Sequence, residues 1–522
     1  MISLLQLLQV WKLKRICYFN LKHRRSKIKF ELELKMNQVK ILTLELAERF
    51  LKDWFDINEF TQIEEKAAEA LVDHTRRFYF YGIGDGLFLN GLTSLSDHTA
   101  EALDNHEGYL SLDGLTSLTD HTAEALANHK NNLSLEGLVS LSDKAAEALA
   151  IHEGYLNLDG LTCLSDKAAE ALANHEGHLF LNGLTSLTNH AAEALANHKN
   201  HLSLKGLASL SDKAAVALAK HKGTFLYLDA LTNLTDHAAE ALANHKGDLF
   251  LNGLTSLTDH AAEALANHKG YLSLDGLTSL TDHSAEALAN HKNNLSLEGL
   301  VSLSDKAAEA LAIHEGHLNL DGLTCLSDKA AEALANHANQ EGSLSLNGLT
   351  SLSDHAAEAL ANHKGYLSLD GLTSLTEHAA EALASHKNYL SLKGLASLSD
   401  KAAEALAKHK GTFLYLDALT NLTDHAAEAL ANYKGDLSLN GLTSLTDHAA
   451  EALANHKGDL FLNGLTSLSD KAAEALANYK GRLRLFGLRS LSDKGAKTLA
   501  KRQGDLSFPR PANLSDKAAE EL

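Results

Sequence analysis

The sequence predicts an α/β solenoid, a right-handed coil in which short parallel strands stack on one side and helices on the other. Three observations carry this. From Phe55 to Leu522 one motif recurs about twenty times, mostly every 23 residues, which is a solenoid period. Inside each copy, apolar residues alternate with polar ones and then change to a spacing of three and four. Between copies the place after the second pattern is nearly always Gly or Asn. A repeat array grows by adding neighbours along one axis, so a single core runs through most of the 522 residues.

Residues 108–130 show the unit most clearly. Leu110 and Leu112 have the two-residue period of a strand with one buried face. Leu115 and Leu118 then turn the chain across the core, and Thr119 or Asp120 supplies a helix N-cap. Ala123, Leu126 and Ala127 form the apolar stripe of the helix, which ends at His129-Lys130. Gly108 and Gly270, or Asn131 and Asn293, follow the helix and read as left-handed terminators. Strands stack about 4.8 Å apart and helices need roughly twice that, so the stack bends into a horseshoe-like arc with parallel strands on the concave face and helices on the convex face.

The unit resembles a bacterial leucine-rich repeat and is similar to the 23-residue alanine-helix repeats of uncharacterised bacterial proteins. The resemblance covers about nine tenths of the chain. That family usually places Asn or Cys three residues after the strand, as a ladder; this chain has Leu115, Leu138 and Leu161 there. What the resemblance implies is a leucine-rich-repeat solenoid that binds macromolecules on its concave face.

Taken in order, residues 1–36 differ from everything that follows. Residues 1–35 hold nine Lys/Arg against two Glu, a net of +7, so the remainder of a chain of net charge −20 stands at −27. Two readings are open: a basic anchor or targeting arm, or a mis-assigned start with translation beginning at Met36, which the change in composition favours. Ile2 to Trp11 is too short to span a bilayer, and its positive charges follow it, unlike a secretory signal; this leans towards a cytoplasmic location. Residues 37–54 form a helical N-terminal cap, with 41–54 read as the amphipathic helix. Phe55 to Ile63 is a degenerate first repeat, closed by a helix around Lys66–Leu71. An insertion over Arg76 to Gly86 reads as a protruding aromatic loop; Gly82, Gly84 and Gly86 fit no phosphate-binding spacing.

The leucine-rich-repeat solenoid occupies 55–504. Two 24-residue repeats contain Gly-Thr-Phe-Leu-Tyr-Leu-Asp-Ala, at 223–230 and 411–418, and one 26-residue repeat carries an insertion at Ala338–Gly342. Residues 271–337 copy 109–175, so the array has grown by block duplication. Residues 505–522, with Pro509 and Pro511, form a degenerate or truncated C-terminal repeat.

The composition excludes several functions. Net acidity argues against nucleic acid, which needs clustered Lys and Arg. Cys17, Cys163 and Cys325 make no disulfide framework, and the latter two replace the Ser found at Ser117. Thirty His sit chiefly in two columns. One lies at the helix start (His98, His121, His260), where Lys144 or Lys167 can replace it, and one at the helix end (His106, His129, His152). The columns lie eight residues apart, which is not a zinc spacing, so both read as exposed cations near helix ends. No nucleophile elbow or cofactor fingerprint occurs; neither enzyme activity, cofactor nor metal is expected.

Function is therefore sought where copies differ, on strand residues facing away from the core. Three columns result, Tyr109, Ser111 and Asp113 in one copy. The candidate binding residues are Tyr109, Asp113, Tyr155, Phe180, Phe225, Tyr227, Asp229, Asp248, Phe250, Tyr271, Tyr366, Tyr389, Phe413, Tyr415, Asp417, Asp459 and Phe461. Exposed aromatics among carboxylates suit a protein partner carrying basic groups. The third-column carboxylates read equally as turn formers in Asp-Gly pairs. The expectation is a monomeric, non-enzymatic protein-interaction scaffold, with a secreted or surface module recognising carbohydrate, and a structural spacer, as alternatives.

Overall fold

The computed structural model describes residues 40–53, 57–79, 86–337 and 342–507. The chain divides into two compact units, residues 1–184 and 185–522. The basic arm, Cys17, residues 80–85, the 338–341 insertion and residues 508–522 lie outside the described residues.

The first unit opens with the cap. Its helix is Leu44–Asp53, capped by Thr43, whose hydroxyl accepts from the Leu46 N–H at 3.4 Å. Residues 41–42, read as helix, are instead extended and pair in parallel with Gln62–Ile63. The cap helix packs on the helix Glu65–Tyr79. That second helix takes in Arg76–Tyr79, which the sequence reading gave to a loop, because no Gly or Pro lies between Glu65 and Gly82 to stop it. Ile57–Glu59 is a 3-10 turn closed by the Phe60 N–H on Ile57 O at 3.2 Å, and it buries Phe60.

From Leu87 the first unit repeats strand, turn and helix. Leu87, Leu110, Leu133, Leu156 and Leu179 stand opposite one another in a parallel, in-register ladder. The second unit does the same from Leu202–Ser203 to Leu506–Ser507, beginning Leu202↔Leu226 and ending Leu483↔Leu506. The repeated core has one composition: Leu110, Leu112, Leu115, Ala123 and Leu126 have no exposed surface, and their equivalents match them. Each such Leu contributes about 2 kcal/mol of burial, and helix packs on helix from one repeat to the next. Each unit is thus a leucine-rich-repeat solenoid.

From Asp97 onward the helices run seven or eight residues and start on a Ser or Thr N-cap. In residues 108–130 the cap is Thr119, which accepts from the Thr122 N–H at 3.0 Å. Asp120 is the first helical residue, and its carboxylate accepts from the N-cap of the next copy, Ser142 Oγ, at 2.5 Å. Each N-cap hydroxyl therefore serves its own helix as acceptor and the preceding one as donor.

The residues after the helix correct one expectation. Gly177 and Gly270 do not take left-handed backbone. The helices before them end on Ala173 and Ala266 in ordinary right-handed conformation. Glycine is required by contact between copies: a Cβ on Gly177 would lie 1.8 Å from Gly154 O and 2.7 Å from His175 Nε2.

Candidate functional site

The strand face is built from the three columns named above, and the third turns out to hold the copies together. Asp113 Oδ1 accepts from the following copy twice, from Ser134 Oγ at 2.5 Å and from the Glu136 N–H at 3.1 Å. Asn252 takes Ser273 Oγ at 2.6 Å and the Asp275 N–H at 3.2 Å, and Asp370 takes Ser391 Oγ at 2.5 Å and the Lys393 N–H at 2.8 Å. The ladder that the resemblance places at Leu115 is carried two residues earlier. Where the third residue is the longer Glu136 or Glu298, the next strand substitutes Asn157 or Asn319, whose Oδ1 accepts the Asp159 or Asp321 N–H at 3.0 Å.

This geometry corrects the reading of the middle column as solvent-facing. Ser111, Ser134, Ser203, Ser273, Ser296, Ser391 and Ser438 are buried, about 1% exposed, because a short hydroxyl drawn to the neighbouring carboxylate leaves no surface. First-column acids share the habit: Asp248 Oδ1 accepts the Tyr271 N–H at 2.9 Å and Asp459 Oδ1 the Arg482 N–H at 3.1 Å.

Aromatics break the pattern. Tyr109, Tyr155 and Tyr366 are exposed; Phe180, Phe225, Tyr227, Phe250, Tyr271, Tyr389, Phe413, Tyr415 and Phe461 are partly buried, as are Asp113, Asp229, Asp248, Asp417 and Asp459. In the first unit Tyr109 meets Phe88 at 5.5 Å, and Tyr155 meets His178 at 4.2 Å and Phe180 at 6.4 Å between ring centroids. In the second unit Tyr227 stacks on Phe250 at 4.4 Å, with Phe225, His201 and Tyr271 around the pair. Further along, Tyr415 stacks on Phe413 at 4.1 Å and meets Tyr389 at 5.5 Å, while Phe413 meets Phe461 at 5.4 Å. Lys205 and Lys393, which are not among the candidate residues, join two of these clusters. Their ammonium groups lie 4.7 and 4.9 Å from the ring centres of Tyr227 and Tyr415, cation–π distances signalled only by Lys standing in a column that is Asp, Asn or Glu in most copies.

Asp229 bears the electrostatic consequence. The hydroxyl that should satisfy it is replaced by Phe250, and its buried Oδ1 has no hydrogen-bond partner. Burial pushes its carboxyl up, opposed by the nearby Lys205 ammonium. Asp417, its counterpart, keeps Ser438 Oγ at 2.5 Å. Burial, then the Asp229 and Asp248 charges, push the Tyr227 hydroxyl up as well.

The two His columns part company. Helix-start His are exposed, and His260, His283, His355 and His378 each pair with a Glu of the preceding helix; the Glu240 carboxylate, 2.9 Å from His260 Nε2, pushes His260 up. Helix-end His, read as exposed cations, are buried at 0–4% exposure. Their rings lie in a file, His106, His129, His152 and His175 at 5.9–6.0 Å in the first unit, and from His198 onward at 5.9–6.4 Å in the second. Desolvation, then a neighbouring imidazole, pushes His152, His221 and His291 down to about 4, so the file is uncharged at neutral pH. The file continues as Tyr433 and Tyr479, whose hydroxyls donate to Gly411 O (2.9 Å) and Gly458 O, and ends at Arg502, which donates to Gly481 O. The position is thus a flat, buried spacer that reaches the preceding copy's loop. Ring centres some 6 Å apart, against about 4.8 Å between strands, also mean that successive copies splay towards the helix side within each unit.

Among the described residues no three His, Cys, Asp or Glu side chains are placed to share a metal ion, and no helix is long and apolar enough to cross a membrane. Cys163 and Cys325 are free and exposed. No protein-family model matches the chain, and no curated protein does. Among solved structures it is similar to a leucine-rich-repeat protein of Leptospira interrogans, at 18% identity and a TM-score of 0.31, covering 84% of this chain and 97% of that one. It is also similar to a chain of the Toll–Spätzle complex of Drosophila, at 15% identity and TM-score 0.38, covering 75% of this chain and 63% of that one. A third is an internalin of Listeria monocytogenes, at 14% identity and TM-score 0.36, covering 58% and 86%. The fold assignment itself rests on the strand register and the repeated Leu/Ala core.

Proposed function

We propose that this leucine-rich-repeat solenoid is a non-catalytic, monomeric scaffold that captures a protein partner carrying basic groups on its strand face. One observation carries the reading. The middle strand position is normally a buried Ser that closes the ladder between copies, and at Tyr227 and Phe250 it is an accessible aromatic. Phe250 leaves Asp229 Oδ1 without the hydroxyl donor, a loss of roughly 1–3 kcal/mol, and the carboxylate keeps only a backbone hydrogen bond from Asn252 beside the Lys205 charge. An accessible aromatic standing at that cost points to recognition, and stacked rings among carboxylates offer a cationic partner both apolar area and charge.

The test is a cross-linked pull-down from the native cell with the wild-type chain and with Phe180, Tyr227 and Phe250 all changed to Ser. Ser is the usual residue at this position, so the variant keeps its helical circular dichroism. The expected result is a partner lost with the substitutions; retention of the same partner refutes the strand face as its site.

A further inference from the structure

The strand face of the second unit carries one recognition element twice. The first copy is Lys205, Phe225, Tyr227 and Asp229; the second is Lys393, Phe413, Tyr415 and Asp417, each residue 188 positions on. Both lie on the strands of the two 24-residue repeats, Phe225–Tyr227 and Phe413–Tyr415. The shared contact is the lysine over the tyrosine: the ammonium lies 4.7 Å from the Tyr ring centre in one and 4.9 Å in the other. Each Tyr also stacks on a Phe, but by a different route: Tyr227 lies on Phe250 of the next strand at 4.4 Å and only tilts against Phe225 at 6.0 Å, whereas Tyr415 lies on Phe413 of its own strand at 4.1 Å.

The stretch between them is bland in the middle column. After Phe250 it reads Ser273, Ser296, Asn319, Ser345, Ser368 and Ser391, all small. Eight consecutive parallel pairings join the two strands, which at the usual strand spacing sets the elements roughly 38 Å apart along the sheet. Each element has one lysine, Lys205 or Lys393, already held over its own tyrosine. Carboxylates flank each one, Asp229 and Asp248 in the first copy, Asp370 and Asp417 in the second. These carboxylates keep their bonds to the next copy, and Asp370 also pairs with Lys393, yet they still give each aromatic patch a negative border that the cationic and aromatic groups of a ligand complement.

Building on the strand-face reading, we infer that the second unit is divalent: it binds a polypeptide that presents the same short basic-and-aromatic segment twice, one at each element. Two segments on one chain or on a symmetric pair then bind with the second step intramolecular, and the gain over one segment is about 100-fold or more when the span is matched.

The probe is an eight-residue peptide of alternating Arg and Tyr, used singly and as two blocks joined by a Gly/Ser linker of about 48 residues, whose root-mean-square length matches the span. Calorimetry on the full chain should give two single blocks per chain, one tandem peptide per chain, and a tandem Kd at least about 100-fold tighter. Tyr227→Ser or Tyr415→Ser alone should reduce the single-block stoichiometry from two to one and remove the tandem gain, with the helical signal unchanged. One block per chain, with a tandem gain of only about twofold, overturns divalency while leaving the strand face as the interaction surface. No binding of either peptide, or binding indifferent to both substitutions, overturns the basic-segment occupant. Binding of neutral oligosaccharides by the same tyrosines overturns the polypeptide class.

Discussion

Acid should dismantle this protein through its file of buried imidazoles. His221, His245, His291, His337 and His363 of the second unit are each pushed from the ordinary 6.5 down to about 4, chiefly by desolvation. The folded state prefers the neutral ring, so these groups leave stability intact above pH 6.5. Stability falls as pH drops from 6.5 towards 4, where the unfolded chain takes up protons that the folded one refuses. At pH 5 the loss is about 2 kcal/mol per ring, while a 23-residue repeat contributes on the order of 1–3 kcal/mol of net stability. The helical signal at 222 nm should therefore collapse near pH 5, steeply, because several rings are coupled through one stack. Replacing His291 by Tyr, the residue the file itself uses at Tyr433 and Tyr479, removes one protonation site and should move the fall to lower pH. A helical signal unchanged down to pH 4.5 would refute the reasoning.

Four further outcomes follow from the contacts between copies. Phe250→Ser should supply the missing donor to Asp229, lowering its raised titration midpoint in an NMR pH titration and stabilising the chain by about 1 kcal/mol in urea. Asp113→Ala should cost about 1–3 kcal/mol by stranding Ser134 Oγ and the Glu136 N–H. Asp113→Asn should be near neutral by the same denaturation assay, since Asn90 fills that role one copy earlier. Leu297→Ala, at a position with no exposed surface, should cost about 3 kcal/mol, and hydrogen exchange should quicken in the copies on either side as well as in its own.

Much of the architecture was legible because it is written about twenty times. The alternation at Leu110 and Leu112, the Ala/Leu stripe and the Ser/Thr before Asp each have a local cause, and averaging over copies makes local causes plain. What escaped the sequence is whatever depends on the neighbouring copy. His129 beside Lys130 reads as a cation at a helix end, yet the ring turns inward and lies against His106 of the copy before. The aromatic exchange of His for Tyr at positions 433 and 479 was the available clue, since a solvated cation has no reason to become a phenol. Gly177 looks like a helix terminator by type and acts as a spacer by contact. The candidate aromatics were readable as departures from a Ser column, whereas the lysines over their rings were not, because Lys205 and Tyr227 are one copy apart.

The hydroxyl ladders have a consequence for how such a chain changes length. Ser142 reaches Asp120, Thr281 reaches Asp259, and Ser469 reaches Asp447, always the same pair of atoms across one step. Among the described residues these bonds join adjacent copies and ask of the neighbour only the same two groups. A block such as 109–175 can be spliced in again at 271–337 and find its boundary bonds waiting. Length, and with it the distance between the two lysine–tyrosine clusters, is therefore free to drift in whole strand steps while the folding code stays fixed.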